Sequence, residues 1–294
     1  MYKLVAIDLD GTLLNSSGEV SDNTKNALSR AKDYGIRVVL ASGRPISSTR
    51  STALELGTDK FIISGNGAVV YDIEKEEVLY DRFLSKEQVF RIIDVCEENS
   101  IFYNIYTEEE VITKSLNYNV LFYHKENIKK VEEKRTHINV VQDMKKYIEE
   151  SGKERFLKVT VCDESKLIFN GIIRKLKEID DLDILNVEHM SRKKIKLGTE
   201  EVLVEYHYTE ITNKNVNKWT AIEFLAGKLG VDSSEVVAIG DNNNDKEMIE
   251  NAGLGVVMGN SNPYMKEIAD VIVSDNDSEG VFEAFEKYIL NNQK

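Results

Sequence analysis

Cysteine is almost missing from this chain. Cys96 and Cys162 are the only two among 294 residues. No disulfide framework can be built from them, and a reducing, cytoplasmic setting is expected. Positive charge is also in short supply. The net charge is −13, which argues against broad binding to nucleic acid or to an anionic membrane surface. No apolar run approaches the roughly 20 residues of a membrane span. The opening MYKLVAIDLD has no long apolar stretch of the kind a secretion signal needs, and it reads as a first strand. The four histidines, His124, His137, His189 and His207, show no metal-ligand spacing. These absences leave a folded protein, long enough for two domains, whose chemistry rests on carboxylates.

The first part of the chain alternates strand and helix signals. Leu4 to Ile7 is a continuous apolar strand. Ser21 to Tyr34 reads as a helix with Ser21 as its N-cap and Gly35 as its stop. A second strand spans Ile36 to Ala41, a helix Ile46 to Leu56, and a third strand begins at Phe61. The last third repeats this grammar: a helix from Lys218, a strand from Val236 to Ile239, and further short strands and helices to Leu290. Short apolar strands separated by helices predict an α/β fold with a doubly wound parallel sheet. The middle is richer in Lys, Glu, Tyr and Asn. It predicts a second α/β domain at residues 85–206, inserted into a core formed by 1–84 and 207–294. Phe102, Tyr103, Tyr106, Tyr118, Phe122 and Tyr123 are expected to pack on that domain's sheet. The stretch 125–135 and the basic cluster Arg192-Lys193-Lys194 are expected to be solvated.

In an open parallel sheet, ligands bind beyond the carboxyl ends of the strands. Four polar groups fall at such ends. They are Asp8/Asp10, Ser42-Gly43-Arg44, Ser64-Gly65-Asn66-Gly67, and Gly240-Asp241 running on to Asn244-Asp245. Paired carboxylates at a buried strand tip are unfavourable unless they bind a cation or do chemistry. Asp8 can attack phosphorus, and Asp10 can carry protons to the leaving oxygen and from water. A carboxylate and a phosphate dianion repel, and the hard oxygens of Asp8 and Asp241 suit Mg²⁺ as the offsetting cation. The Ser42 hydroxyl and nearby backbone N–H groups can hold a phosphate. Lys218 can neutralise charge on Asp8 and on the phosphoryl group.

Taken in order, DLDGTLL, ASGRP, NKW and GDNNND resemble the four motifs of the haloacid dehalogenase superfamily. The long insertion after Asn66-Gly67-Ala68 resembles its Cof-type subfamily of sugar-phosphate and cofactor phosphatases. The resemblance implies a Rossmann-like core with a cap domain that acts as a lid and selects the substrate. It implies Asp8 as nucleophile, Asp10 as general acid and base, Ser42 with Gly43 and Thr12 at the phosphate, and Lys218 as the third-motif lysine. Mg²⁺ would be held by Asp8, the main-chain carbonyl of Asp10 and Asp241, with Asn244 and Asp245 in support. Arg44 and Asn66 lie where such proteins touch substrate or cap. One position departs from the pattern. Trp219 stands where glycine usually follows the lysine, so Lys214 remains an alternative to Lys218. Trp219 itself is expected to pack on the seam between core and cap.

The resulting expectation is a Mg²⁺-dependent phosphatase. It would hydrolyse a small phosphorylated metabolite through an aspartyl-phosphate intermediate and exist as a monomer or homodimer. Three alternatives differ in product. A phosphomutase would transfer phosphate to sugar rather than to water. A phosphoacceptor domain would keep a long-lived phosphoprotein, and a phospho-ligand sensor would not turn over.

Overall fold

The computed structural model describes residues 1–129, 132, 135–185, 190–197 and 200–291. His189 and residues 130, 131, 133 and 134 of the charged stretch lie outside them. So do the side chains of Arg192, Lys193 and Lys194. The chain divides into two units, residues Met1–Arg82 with Val216–Lys294, and Phe83–Asn215. Among the described residues, no helix is long and apolar enough to cross a membrane.

The first unit begins with β1 (Leu4–Ile7), α1 (Asp22–Asp33), β2 (Arg37–Ala41), α2 (Ile46–Leu56) and β3 (Phe61–Ser64). The Ser21 Oγ accepts the Thr24 N–H at 3.1 Å, which satisfies one of the orphan donors at the start of α1. An antiparallel hairpin, β4 (Val69–Asp72) and β5 (Glu77–Asp81), follows β3. The sequence pattern does not reveal it, because its four- and five-residue strands are interleaved with charges.

The second unit runs through β6 (Leu84–Ser85), α3 (Lys86–Glu98), β7 (Phe102–Tyr106), β8 (Glu110–Thr113) and α4 (Tyr118–Lys129). It continues with β9 (His137–Val140), α5 (Met144–Ser151), β10 (Arg155–Phe156), β11 (Lys158–Asp163) and α6 (Lys166–Leu176). It ends with β12 (Leu182–Ile184), β13 (Met190–Leu197) and β14 (Glu200–Asn213). Its main sheet has the order β12-β14-β11-β7-β8-β9, with β13 also on β14. Side chains of α3, α5 and α6 pack with Ile105, Ile112, Val159, Val161 and Ile211 in one core. The return to the first unit comes at Val216 and not at 207, because β14 continues to Asn213 as a strand of this sheet. Tyr118 and Tyr123 sit on α4, a helix that the sequence pattern does not announce. Their rings lie 5.1 Å from Phe102 and 6.3 Å from Tyr106, so the aromatic cluster does pack on the sheet. Both cysteines are buried and free.

The chain then completes the first unit with α7 (Lys218–Leu229), β15 (Val236–Gly240), α8 (Lys246–Asn251), β16 (Leu254–Val257) and α9 (Pro263–Ile268). The short β17 (Val271–Ile272) and α10 (Gly280–Ala284) close it. The sheet order is β17-β16-β15-β1-β2-β3-β4-β5, parallel as far as β3. Both faces of β1 are covered, which is why its sequence is continuously apolar rather than alternating. Leu4 and Ala6 pack with Ala221, Ile222 and Leu225 of α7 and Met248 of α8. Val5 and Ile7 pack with Ala27, Leu28 and Ala31 of α1. Truncating a side chain such as Leu225 to Ala would cost about 2–5 kcal/mol. Strands added after β1 extend the sheet on one side, and strands from β15 onward extend it on the other. The carboxyl end of β1 is therefore a topological switch point, where such sheets leave a crevice for ligands.

Candidate active site

Asp8 is the first residue beyond β1. Its N–H still donates to the Ile239 carbonyl at 3.0 Å, so the sheet register fixes its backbone. Its own carbonyl accepts the Leu13 N–H at 3.2 Å and curls the chain into a loop. Gly11 lies in that loop at φ +85°, a conformation that a side chain disfavours. A Cβ there would sit 2.5 Å from Asp241 Oδ2, so the loop can approach Asp241 only as glycine.

Lys218 opens α7, whose N-cap Asn217 accepts the Thr220 N–H through Oδ1 at 2.9 Å. The lysine is fully buried. Its Nζ donates to Asp8 Oδ1 at 2.5 Å and to Asp245 Oδ1 at 2.6 Å. The other oxygen of Asp245 accepts the N–H groups of Asp241 and Asn242 at 3.0 and 3.1 Å. Asp245 thus ties the lysine to the turn that carries Asp241. Gly67 lets the loop after β3 pass against this helix start: it lies at φ +96°, and a Cβ there would stand 2.0 Å from the Asn217 carbonyl oxygen. The alternative, Lys214, is exposed and donates to the Asp180 carbonyl in the second unit at 2.6 Å. Trp219, the second residue of α7, packs half-buried against the core of the first unit. Lys218 reaches both carboxylates with Trp219 beside it.

Charge is unbalanced here. Oxygens of Asp8, Asp241 and Asp245 come within 4.8 Å of one another. Burial, the largest influence, drives the Asp8 carboxyl up to about 8. Lys218 opposes it, while Asp245 and Asp241 add to it. Burial followed by Asp245 takes Asp241 up to about 7, against the hydrogen bond from Thr12. Burial alone would lower the Lys218 ammonium, but Asp245 and Asp8 outweigh it and hold the lysine above its ordinary value. A buried oxygen cluster whose carboxylates resist ionisation favours a hard cation, because the cation offsets both burial and mutual repulsion.

The remaining residues form the rim. Thr12 Oγ1 donates to Asp241 Oδ1 at 3.0 Å. Ser42 is buried, and its Oγ accepts the Arg44 N–H at 3.2 Å. Asn66 is buried at φ +58°, and its Oδ1 accepts from Asn244 at 3.0 Å. Gly43 lies so close to Asn66 that a Cβ would meet Oδ1 at 2.7 Å. Asp10 stands apart from the buried oxygen cluster, its side chain 62% exposed. It accepts a two-pronged bond from Arg44, Nε to Oδ2 at 2.7 Å and Nη2 to Oδ1 at 2.5 Å. Asn260 was not singled out from the sequence. Its Nδ2 donates to the Gly11 carbonyl at 2.9 Å and approaches Asp241 Oδ2 at 3.4 Å. Its position just past β16, at another strand end, is the signal that points to it.

Comparison with known proteins adds an independent line. The haloacid dehalogenase-like hydrolase family matches residues 5–285. Phosphatase YwpJ of Bacillus subtilis is 30% identical over 291 residues, covering 95% of this chain and 97% of the relative. The 5-amino-6-(5-phospho-D-ribitylamino)uracil phosphatase YcsE of the same organism is 27% identical, covering 98% and 96%. A solved haloacid dehalogenase-like hydrolase from B. subtilis matches at a TM-score of 0.80 and 27% identity, over 97% of this chain and 99% of that one.

Proposed function

The chain belongs to the haloacid dehalogenase-like hydrolases, and from that premise we propose that it is a Mg²⁺-dependent phosphatase working through a phosphorylated Asp8. The observation that carries this reading is the buried arrangement of Lys218 between Asp8 and Asp245, with Asp241 alongside. Its donors are all hard oxygens and its carboxylates exceed its lysines, which fits Mg²⁺ held by Asp8, Asp241 and the Asp10 carbonyl, with Asp245 in support. When bound, the ion supplies the charge that lets a carboxylate approach a phosphate dianion.

Lys218 fixes Asp8 Oδ1, so Oδ2 is the oxygen that attacks. A bond forms from Oδ2 to phosphorus as the bond to the ester oxygen breaks. Asp10 delivers a proton to that leaving oxygen. It then takes a proton from water, whose oxygen attacks phosphorus and releases phosphate from Asp8. Arg44 grips Asp10 before this sequence begins. An incoming phosphate competes for the same guanidinium fork and frees Asp10, which takes up from solvent the proton it then delivers to the leaving oxygen. Ser42 and Thr12 flank the phosphate position. The substrate is a small phosphorylated metabolite, a reading supported by the phosphorylated ribityl compound in the name of YcsE.

The test is phosphate release from a panel of sugar phosphates and phosphorylated cofactors, with Mg²⁺ and with chelator. Asp8→Asn should remove turnover. Multiple turnovers by that variant, or full activity in excess chelator, would overturn the mechanism.

A further inference from the structure

The loops that follow β16 and β17 each carry an asparagine that phosphoryl transfer does not use, Asn260 and Asn276. The two loops pack against each other. The Gly259 N–H donates to the Ser274 carbonyl at 3.1 Å, and a Cβ on Gly259 would stand 2.9 Å from the Asp275 nitrogen. Glu283 of α10 anchors the second loop, since its Oε2 accepts the N–H and the hydroxyl of Ser274 at 2.8 and 2.7 Å. From there the Asn276 N–H donates to Asn260 Oδ1 at 3.2 Å. That bond decides which way the Asn260 amide faces, because a flipped amide would set its NH2 group against a donor. The Asn260 Nδ2 therefore donates to the Gly11 carbonyl at 2.9 Å and reaches Asp241 Oδ2 at 3.4 Å. The Asn276 side chain holds the same β1 loop further along, its Nδ2 donating to the Leu14 carbonyl at 2.9 Å. Next to it, Asp277 Oδ1 accepts the Ser16 N–H at 2.8 Å. Asp241 thus has one donor on each oxygen, Thr12 on Oδ1 and Asn260 on Oδ2. Each oxygen keeps a lone pair for a cation.

We infer that Asn276 and Asn260 form one positioning relay for the divalent cation, holding Asp241 and the β1 loop in the arrangement the ion needs. The inference rests on the Mg²⁺ reading of the site. Asn260 turns a donor toward Asp241, so it acts through that carboxylate and is not itself a ligand. Its second contact, the Gly11 carbonyl, adjoins Asp10, whose own carbonyl is a proposed ligand, so one amide steadies both. A neutral donor suits this place. A lysine would compete with the cation for Asp241, and a carboxylate would repel it. Groups that hydrogen-bond a metal ligand from behind fix its orientation, and losing one weakens metal binding roughly 10–100-fold. Asn260 is exposed and its bond to Asp241 is long, which puts the expected loss at the lower end of that range. Asn276 touches neither Asp241 nor the ion in this scheme. Its effect passes through Asn260 and the β1 loop.

The test titrates Mg²⁺ calorimetrically into the full chain without substrate, comparing the unmodified protein with Asn260→Ala, Asn276→Ala and the double variant. The Mg²⁺ dissociation constant should rise about tenfold in Asn260→Ala and by a smaller factor in Asn276→Ala. In the double variant it should rise no further than in Asn260→Ala, because the two residues act in series. Losses that multiply in the double variant show two separate contacts and overturn the relay. Unchanged affinity in Asn260→Ala overturns it as well. Melting temperature measured without Mg²⁺ separates positioning from packing: a fall there with Mg²⁺ affinity intact assigns both residues to loop packing and overturns the inference. Asn276→Ser, too short to reach the Leu14 carbonyl, serves where Asn276→Ala does not fold. The two failures are distinct. No Mg²⁺ binding by the unmodified protein defeats the Mg²⁺ reading and the relay with it. Binding that the Asn260 variant leaves unchanged defeats the relay alone.

Discussion

Replacing Lys218 with Met tests the charge arrangement at the centre of the site. Met fills a similar volume and removes the ammonium. At an effective dielectric near 20, a charge pair at the observed 2.5–2.6 Å is worth about 6–7 kcal/mol. Above about pH 8, where Asp8 is ionised, two such contacts are lost, and the desolvation of the buried lysine that opposed them is recovered. Removing one partner of a buried ion pair has a net cost of about 3–5 kcal/mol, because the surviving charges stay buried. For a unit of this size, that lowers the melting temperature by about 6–20 °C. The loss should depend on pH. Asp8 sits at about 8 with Lys218 present, mainly from burial, against an ordinary 3.8. Between those values the folded state holds a proton that the unfolded state has released, so stability falls as pH rises. Without the lysine this slope extends further upward. The variant should therefore lie nearest to the parent at pH 5 and furthest from it at pH 9. Thermal unfolding at pH 5, 7 and 9, with phosphate release measured alongside, checks this. Lys214→Met is the control, since that lysine is exposed, and a change within about 0.5 kcal/mol is expected. Equal stability of Lys218→Met and the parent at pH 9, or loss of turnover in Lys214→Met alone, would refute the reasoning.

Three further outcomes are expected. Mg²⁺ at millimolar concentration should raise the melting temperature of the parent, and Asp241→Asn should abolish most of that rise, as read by scanning calorimetry. Gly11→Ala forces a side chain into positive φ and against Asp241; it should lower stability by about 1–3 kcal/mol and weaken the Mg²⁺-induced shift. Lys287, then the Ser274 hydroxyl and N–H, hold Glu283 down to about 2 from 4.5. That contribution is present above pH 4.5 and is lost as pH falls through 2, so Glu283→Ala should lower the melting temperature at pH 6 and leave it unchanged near pH 2.

Much of the site is legible as strand-end chemistry. Asp8, Ser42 and Asp241 each end or follow an apolar strand, and a parallel sheet has one carboxyl edge to present them on. Lys218 and Lys214 cannot be separated this way. Lys214 lies just before the helix and Lys218 opens it, and only the packing of α7 against the sheet decides which one reaches a carboxylate 210 residues away in sequence. Asp10 reads as a proton carrier from its place beside Asp8, but its grip by Arg44 depends on β1 and β2 lying side by side. The hairpin of β4 and β5 and the helix α4 escape notice because their signals are short or interrupted by charge. The end of the second unit escapes for the opposite reason: β14 is longer than its apolar stretch, since its polar residues face one another across the sheet.

The sequence by itself determined the elements whose information is local: the apolar strands, the capped helices, and the carboxylates at strand ends. These follow from side-chain period and from backbone demands within a few residues. Only the tertiary structure decided the pairings: Lys218 with Asp8 and Asp245, Thr12 and Asn260 with Asp241, and Arg44 with Asp10. Such pairings depend on strand order and register, which bring together residues far apart in the chain, and no local period encodes which distant partner will arrive.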